Sequence, residues 1–263
     1  MPAGPLPETF ATDGEPLCWL SVGATIYIGP PLDLGAHARM VGALLLGLTG
    51  PLTITVKDHA VRARSVFLPA RSTASVTASG PVAVCTFDPT ATRVAQCSSG
   101  MELAFGGLHL RHRNETGLIR SCTAGIFRPH EVLRQLGVGA TPSSTTQPAD
   151  SRIADVGRRV RADPSVTVSA AESAAALGLS QAYFLTVFAR ETGTTFRRYR
   201  LWVRLIHAAT SIADGKSLTH AAMDAGFSSP SHLSDTARAL LGVSTSAALA
   251  TGARLLVDHG ALA

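Results

Sequence analysis

The spacing of hydrophobic residues in the first part of the chain is typical of β-strands. Between residues 24 and 87, short apolar or alternating runs are separated by turn signals such as Gly50-Pro51 and Gly80-Pro81. Several strands of this length and spacing indicate a β-sandwich or barrel. The predicted strands are Ala24–Ile28, Ala43–Leu48, Leu52–Val56, Ser65–Leu68, Ser75–Thr77 and Val82–Phe87, and a short helix is predicted at Pro129–Leu136.

From residue 150 onward the pattern changes to helical periodicity with capping signals. Ser and Thr stand at predicted helix starts, and Gly193, Gly215 and Gly242 stand where a left-handed residue would end a helix. The predicted helices are Asp150–Arg161, Val168–Leu177, Ser180–Thr192, Thr195–Asp214, Leu218–Ala225 and a last one that runs from Ser228 or Ser229 to Leu241.

A segment rich in Gly, Ser, Thr and Pro separates the two patterns. Residues 137–150 contain almost no large apolar side chain, which is typical of a flexible linker. We therefore predict an α+β protein with a β domain at residues 1–136, a linker at 137–150 and an all-α domain at 151–252.

The helical part contains an internal repeat. Ala170–Gly193 and Leu218–Gly242 each have a short helix with small residues, a turn containing glycine, a serine cap and a longer helix that ends at glycine. This order of elements describes a helix-turn-helix unit. Ala174 and Ala222 each lie four residues before the turn glycine, where a larger side chain would hold the two helices apart.

The helix that connects the two units has a length suited to DNA. Thr195–Asp214 spans about 20 residues and therefore roughly 30 Å. Successive major grooves on one face of B-DNA lie about 34 Å apart. A straight helix of this length would place the second helices of both units in adjacent major grooves.

Charge adds a local signal. The net charge is only +5, and Lys57 and Lys216 are the only lysines among 23 basic residues. Five arginines cluster near the connecting helix, with Glu191 as the only acid among them: Arg190, Arg197, Arg198, Arg200 and Arg204. The planar guanidinium group suits phosphate oxygens, although a solvated helix face would show the same cluster.

The residues of the repeat match a known pattern. They are Ser180, Phe188, Gly193, Phe196-Arg197-Arg198-Tyr199, Arg204, Ala222, Gly226-Phe227, Ser229-Pro230-Ser231-His232 and Gly242. With them, residues 152–250 resemble the DNA-binding domain of the AraC/XylS family of bacterial transcription regulators. The resemblance implies a cytoplasmic, sequence-specific transcription factor, an activator or a repressor, whose partner is double-stranded promoter or operator DNA.

The resemblance also implies the residues that contact DNA. In the first unit, the major-groove face would hold Gln181, Ala182, Leu185 and Thr186, with the amide suited to adenine and the small apolar groups suited to thymine methyls. In the second unit, the contacts would come from Ser229, Ser231, His232 and Ser234. Phosphate contacts would come from Arg190, Arg197, Arg198 and Arg204.

Three residues depart from the family pattern. Ser173 and Ala237 stand where large apolar side chains are usual, and the Asp235 carboxylate would repel phosphate. With these departures, two alternatives to base reading are open for the second unit: it holds only the DNA backbone, or it binds DNA weakly. The alternative function is a degenerate family member that acts as a protein-binding antagonist.

The first part of the chain resembles, loosely, the small cupin-type barrel of this family's regulatory domains, through Leu34-Gly35-Ala36-His37 and Phe67-Leu68-Pro69-Ala70. Metal catalysis would need clustered His and Glu ligands, but the chain offers His37-Ala38-Arg39. We predict no metal, no cofactor and no enzyme activity. The remaining enzyme alternatives are a barrel oxygenase and a thiol alkyl acceptor at Cys85 or Cys122.

The four cysteines, Cys18, Cys85, Cys97 and Cys122, are scattered, and reduced thiols are the expectation. No apolar run approaches the roughly 20 residues of a membrane helix, and the first basic residue is Arg39, so neither a membrane span nor a secretory signal is predicted. The resemblance leaves three further partners open: RNA polymerase, a small-molecule effector and a second copy of the chain.

Overall fold

The computed structural model describes residues 10–11, 14–21, 23–32, 34–91, 98–138, 151–164 and 168–258. The strands are β1 (Phe10–Ala11), β2 (Leu17–Leu20), β3 (Ala24–Gly29), β4 (Leu34–Ala38), β5 (Ala43–Gly47), β6 (Leu52–Val56), β7 (His59–Ala63), β8 (Ser65–Leu68), β9 (Thr73–Thr77), β10 (Val82–Phe87), β11 (Met101–Phe105), β12 (Leu108–His112), β13 (Ile126–Phe127) and β14 (Arg254–Val257). The helices are α1 (Glu115–Thr123), α2 (Pro129–Gln135), α3 (Ser151–Ala162), α4 (Ala170–Ala175), α5 (Gln181–Thr192), α6 (Phe196–Ala213), α7 (Leu218–Asp224), α8 (Pro230–Leu241) and α9 (Thr245–Ala250). The predicted linker lies outside the described residues except for Gly137 and Val138.

A large sheet with the strand order β11-β12-β8-β5-β10-β3-β2-β14 forms the middle layer of the N-terminal part. Its strand β5 is apolar throughout because both of its faces are covered. Leu44 and Leu46 belong to the core shared with α1 and α2, whereas Ala43 and Leu45 belong to the core shared with the second sheet. Alternation of side chains across the strand explains this division.

The second sheet has the order β4-β9-β6-β7 and covers the other face of the large sheet. Ile54 and Val76, from adjacent strands β6 and β9, are buried between the two sheets. The strands at Leu52–Val56, Ser65–Leu68 and Val82–Phe87 have the predicted bounds. The predicted α+β class, a β-rich N-terminal domain followed by a helical region, is confirmed.

The helical part is built on a cluster of buried aromatic side chains. Phe188 and Phe196 contact each other edge to face with ring centroids 5.2 Å apart, and Tyr199 stacks on Trp202 at 6.2 Å. This cluster packs α5 and α6 together, and α7 and α8 pack at the other end of α6. Among the described helices, none combines the length and apolar character required to cross a bilayer.

The chain returns to the N-terminal sheet after the last helix. Strand β14 pairs in parallel with β2, so that Arg254 lies opposite Leu17 and Val257 opposite Leu20. The imidazole Nε2 of His130 lies 3.3 Å from the Asp258 carboxylate just beyond the strand. Neither α9 nor β14 was predicted. With 6 and 4 residues, both are too short to show a hydrophobic period.

A buried polar network joins the two parts. The Nη1 atom of Arg161 on α3 donates to the Asp88 carboxylate at 2.6 Å, and the Tyr199 hydroxyl donates to the same oxygen at 3.2 Å. Thr90 donates to the other oxygen through both its N–H and its hydroxyl, each at 2.7 Å. The absence of a side chain at Gly157 allows this approach, because a Cβ there would lie 2.1 Å from the Thr90 hydroxyl oxygen.

Candidate DNA-binding interface

The first helix-turn-helix unit has the predicted caps. The Ser180 hydroxyl oxygen accepts a hydrogen bond from the Tyr183 N–H at 3.3 Å, which begins α5 at Gln181. Gly178 in the turn and Gly193 at the end of α5 have φ angles of 66° and 71°, a conformation in which a Cβ would be strained. These three residues fix where the helix begins and ends.

Helix α5 has one buried face and one exposed face. Phe184, Val187 and Phe188 are at most 1% exposed and pack against α6. The four predicted contact residues of this unit are all exposed: Gln181, Ala182, Leu185 and Thr186. The structure therefore brings these four side chains together on the outer surface.

Tyr183 belongs to the same surface and was missed by the sequence reasoning. Its side chain is 53% exposed in the first turn of α5, next to Gln181 and Ala182. An aromatic residue outside the buried stripe of Phe184 and Phe188 was the signal that was available. The phenol adds a hydrogen-bonding group and an apolar ring to the exposed face.

The second unit repeats this arrangement, with an additional aromatic contact at the start of its second helix. The Ser229 hydroxyl oxygen accepts from the His232 N–H at 3.0 Å and caps α8. The His232 ring packs edge-on against Phe227 at 5.4 Å, and its Nδ1 lies 3.0 Å from the Ser228 hydroxyl oxygen. The imidazole is therefore held in one orientation at the N-terminus of the helix.

The predicted contacts of the second unit are not equally accessible. Ser231 and His232 are exposed, Ser234 is half-buried, and Ser229 is half-buried and engaged as the cap. Asp235 is exposed on the same helix, which also contacts β4 of the N-terminal part. The exposed polar surface of α8 thus carries a carboxylate.

Ser173, which stands where a large apolar side chain is usual, is buried in the first unit. Ser173 is 4% exposed, and its hydroxyl donates to the Ser169 carbonyl at 2.9 Å. Helix α4 is further stabilised by a capping box, in which Ser169 and Glu172 bond reciprocally. The small side chain is therefore buried with its polar group satisfied.

Three of the four predicted phosphate ligands point away from the core. Arg197 is exposed and Arg198 is half-buried on the first turn of α6. Arg190 is exposed and its Nη2 lies 2.9 Å from the Glu191 carboxylate. Because a surface pair of this kind contributes only about 0–1 kcal/mol, a phosphate can compete for the guanidinium group.

Arg204, the fourth predicted phosphate ligand, is engaged within the helical part. Its Nε donates to the Ala225 carbonyl at 2.7 Å, its Nη2 donates to the Gly226 carbonyl, and its guanidinium carbon lies 4.2 Å from the centroid of the Phe227 ring. These contacts fasten α6 to the turn of the second unit. We therefore propose that Arg204 acts as a positioning residue, a role that the arginine cluster alone does not reveal; its phosphate contact stays a prediction.

Helix α6 connects the two units without interruption. It runs from Phe196 to Ala213 over 18 residues, with Thr195 as its N-terminal cap. At about 1.5 Å per residue it is roughly 27 Å long, close to the expected 30 Å.

Residues 173–250 match a family model described as a helix-turn-helix domain. This region is an AraC-type helix-turn-helix domain. The match begins within α4 of the first unit and includes α5, the whole of α6 and the second unit. No protein of curated function matches the sequence closely enough to be counted as a relative.

Solved structures of ToxT from Vibrio cholerae share the fold of the chain beyond the AraC-type domain. One is 14% identical with a TM-score of 0.53 and covers 87% of this chain and 96% of its own. A second, bound to (E)-4-(8-methylnaphthalen-1-yl)but-3-enoic acid, is 12% identical with a TM-score of 0.52 and coverages of 87% and 99%. A third, bound to an unsaturated fatty acid, is 11% identical with a TM-score of 0.51 and coverages of 84% and 93%.

The thiols of Cys18 and Cys122 offer little support for the alkyl-acceptor alternative. Burial raises the pKa of Cys18 and of Cys122 to about 12, so both thiols are protonated at neutral pH.

Cys97 and the side chain of His37 lie outside the described residues. Within the described part of the chain, no group of three metal-ligating side chains occurs.

Proposed function

We propose that the protein regulates transcription by binding double-stranded DNA in a sequence-specific manner through its AraC-type domain. The observation that carries the proposal is the exposed face of α5. There, Gln181, Ala182, Leu185 and Thr186 lie together, while the opposite face of the helix is buried. A capped helix with such a face suits the major groove.

The chemistry of this face indicates how bases would be distinguished. The Gln181 amide can pair with the edge of adenine, and the Ala182 and Leu185 side chains suit thymine methyl groups. The Thr186 hydroxyl donates to the Ala182 carbonyl at 3.0 Å, which leaves its methyl group and an oxygen lone pair for the DNA. A good base contact contributes about 1–3 kcal/mol of discrimination.

The second unit would contribute through Ser231 and His232, with Ser229 and Ser234 at the margin of the contact. The N-terminus of α8, which spans 12 residues, presents backbone N–H groups to which a phosphate can bind. Arg190, Arg197 and Arg198 would add phosphate contacts next to the first unit.

Genome-wide DNA capture tests this proposal. We would compare the wild type with a Gln181→Ala, Thr186→Ala variant and with a control variant, Thr73→Ala, Thr77→Ala, that alters exposed residues of β9. The first variant should lose the preference of the wild type at one or two base positions, and the control should keep it. An unchanged preference in the first variant would show that α5 does not read bases.

The alternative is a protein-binding antagonist that has lost DNA binding. Its specific support is the exposed Asp235 carboxylate and the contact of α8 with β4. A gel-shift titration with the DNA that it captures, at increasing salt, separates the two functions. DNA binding should weaken steeply with salt, because phosphate contacts release counterions. Absence of any salt-sensitive binding favours the antagonist.

We also propose that the N-terminal part regulates the AraC-type domain, through a small-molecule effector or through homodimer formation. Support comes from the contacts between the two parts and from the two organic acids bound to ToxT. Sedimentation of the protein with and without a candidate effector tests the dimer. RNA polymerase remains a proposed partner for activation.

A further inference from the structure

An apolar cavity of about 250 Å³ lies between the β domain and the helical part. Its wall includes Leu20, Tyr27 and Val84 from the large sheet, Ile206 from α6 and Leu240 from α8. Ala237, the residue that replaces the usual large side chain, also lines it. The small side chain at this position leaves space that a larger one would fill.

Residues that line this cavity contain buried polar atoms without hydrogen-bond partners. In the part of the chain that the structure describes, five buried side-chain nitrogen and oxygen atoms lack a hydrogen-bond partner. Four of them belong to residues that line the cavity: Nε and Nη2 of Arg39, Nε1 of Trp202 and Oγ1 of Thr245. Buried polar groups are nearly always paired in folded proteins, so this concentration points to a ligand.

Arg39 determines the charge of that ligand. The residue is 5% exposed, and burial lowers its pKa to about 10, so the guanidinium group is still charged at neutral pH. A buried charge without a counterion is unfavourable, and the planar guanidinium group matches the two oxygens of a carboxylate. The ligand should therefore carry one negative group.

The volume indicates the size of the apolar part. A cavity of about 150 Å³ accommodates benzene, so a cavity of about 250 Å³ accommodates, in proportion, roughly ten carbon atoms. We propose that this cavity binds a medium-chain carboxylate whose head group pairs with Arg39 and whose tail lies between the large sheet, α6 and α8.

Such a ligand would touch both parts of the protein at once. It would contact the connecting helix through Trp202 and Ile206 and the second recognition helix through Ala237 and Leu240. Its binding would stabilise the observed arrangement of the two parts. Only the regulatory role of the ligand rests on the proposed function, because the ligand itself binds without DNA.

Calorimetric titration of the full chain with decanoate, below its micelle concentration, tests the proposal. Decanol and decylamine, with equal chain length, are the comparison ligands. Decanoate should bind about tenfold or more tightly than decanol, decylamine should bind least, and Trp202 fluorescence should change on binding. Equal binding of all three, or binding of none, overturns the proposal without any variant.

Substitutions at Arg39 test whether this residue binds the carboxylate head group. Arg39→Met should abolish the preference for decanoate over decanol, and Arg39→Lys should restore part of it. The unfolding free energy without ligand should be unchanged or higher in Arg39→Met, because an unpaired buried charge has been removed. If Arg39 had only a structural role, Arg39→Met would lower the unfolding free energy. Arg62→Met, on the exposed side of β7, is the matched control and should behave as the wild type.

Filling the cavity gives an independent readout. Ala237→Phe should weaken decanoate and decanol alike, and undiminished decanoate binding by this variant would place the ligand elsewhere. Gel shifts on the same preparations keep the two proposals apart. Salt-sensitive DNA binding without decanoate binding refutes only the ligand proposal, and the reverse result refutes only the DNA proposal.

Discussion

The ion pair between Arg161 and Asp88 should contribute strongly to the stability of the contact between the two parts. Their side chains are 17% and 0% exposed. In Arg161→Met, the Asp88 carboxylate keeps its bonds from Thr90 at 2.7 Å and from Tyr199 at 3.2 Å but loses its counterion. Breaking a buried pair from one side costs about 3–5 kcal/mol. Because three hydrogen bonds to the carboxylate remain, we expect the lower end, about 3 kcal/mol.

A double-mutant cycle with Asp88→Asn measures the pair itself. The double variant should lose less than the sum of the two single variants, with a coupling energy of about 2 kcal/mol, since contacting charges are not additive. Urea unfolding followed by both tryptophan fluorescence and circular dichroism supplies the free energies. If the two transitions coincide, unfolding is two-state and a single free energy describes it.

Arg158→Met is the matched control on the same helix. Arg158 pairs with Asp155 at the surface, where both side chains are well exposed. This change should cost no more than about 0.5 kcal/mol. The network does not hold the two parts together if Arg161→Met lowers the unfolding free energy as little as Arg158→Met does. The same conclusion follows if the effects of the two single variants simply add in the double variant.

Four further predictions concern single positions. Gly157→Ala should lower the unfolding free energy by about 1–3 kcal/mol in urea titrations, because its Cβ would lie 2.1 Å from the Thr90 hydroxyl oxygen; wild-type stability would mean that α3 can move away freely. Arg197→Ala should reduce the slope of DNA affinity against salt by about one contact in gel-shift titrations, and an unchanged slope would remove it from the phosphate ligands. Arg204→Ala should weaken DNA binding without changing that slope, whereas a reduced slope would confirm it as a phosphate ligand. Truncation after Gly252 removes β14 and should make limited proteolysis faster; resistance equal to that of the full chain would contradict a stabilising role for the strand.

Local signals account for the parts of the structure that could be predicted. The limits of α5 follow from Ser180 and Gly193, and those of α8 follow from Ser229 and Gly242, because caps depend on residues within one turn of the helix end. The exposed face of α5 follows from the spacing of its buried aromatic residues in the same way. Each of these features depends only on neighbours in sequence.

Features that depend on distant parts of the chain could not be predicted. Arg161 and Asp88 are 73 positions apart, and their pairing depends on how α3 docks on the sheet. The role of Arg204 depends on the turn at Ala225 and Gly226, which lies more than 20 positions away. The cavity was not predicted, because no sequence pattern shows which surfaces will enclose a space.

The pairing of β14 with β2 has a consequence for how the helical part can move. The chain joins the helical part to the β domain at one end, and a strand of the same sheet holds it at the other end. A rigid body attached at two points can only turn about the line between them, unless one attachment is released. Release of β14 would leave the backbone of β2 unpaired along one side, and an open strand edge favours pairing with another chain. Detachment of the helical part would thus create a surface for self-association at the moment when it becomes free to reorient.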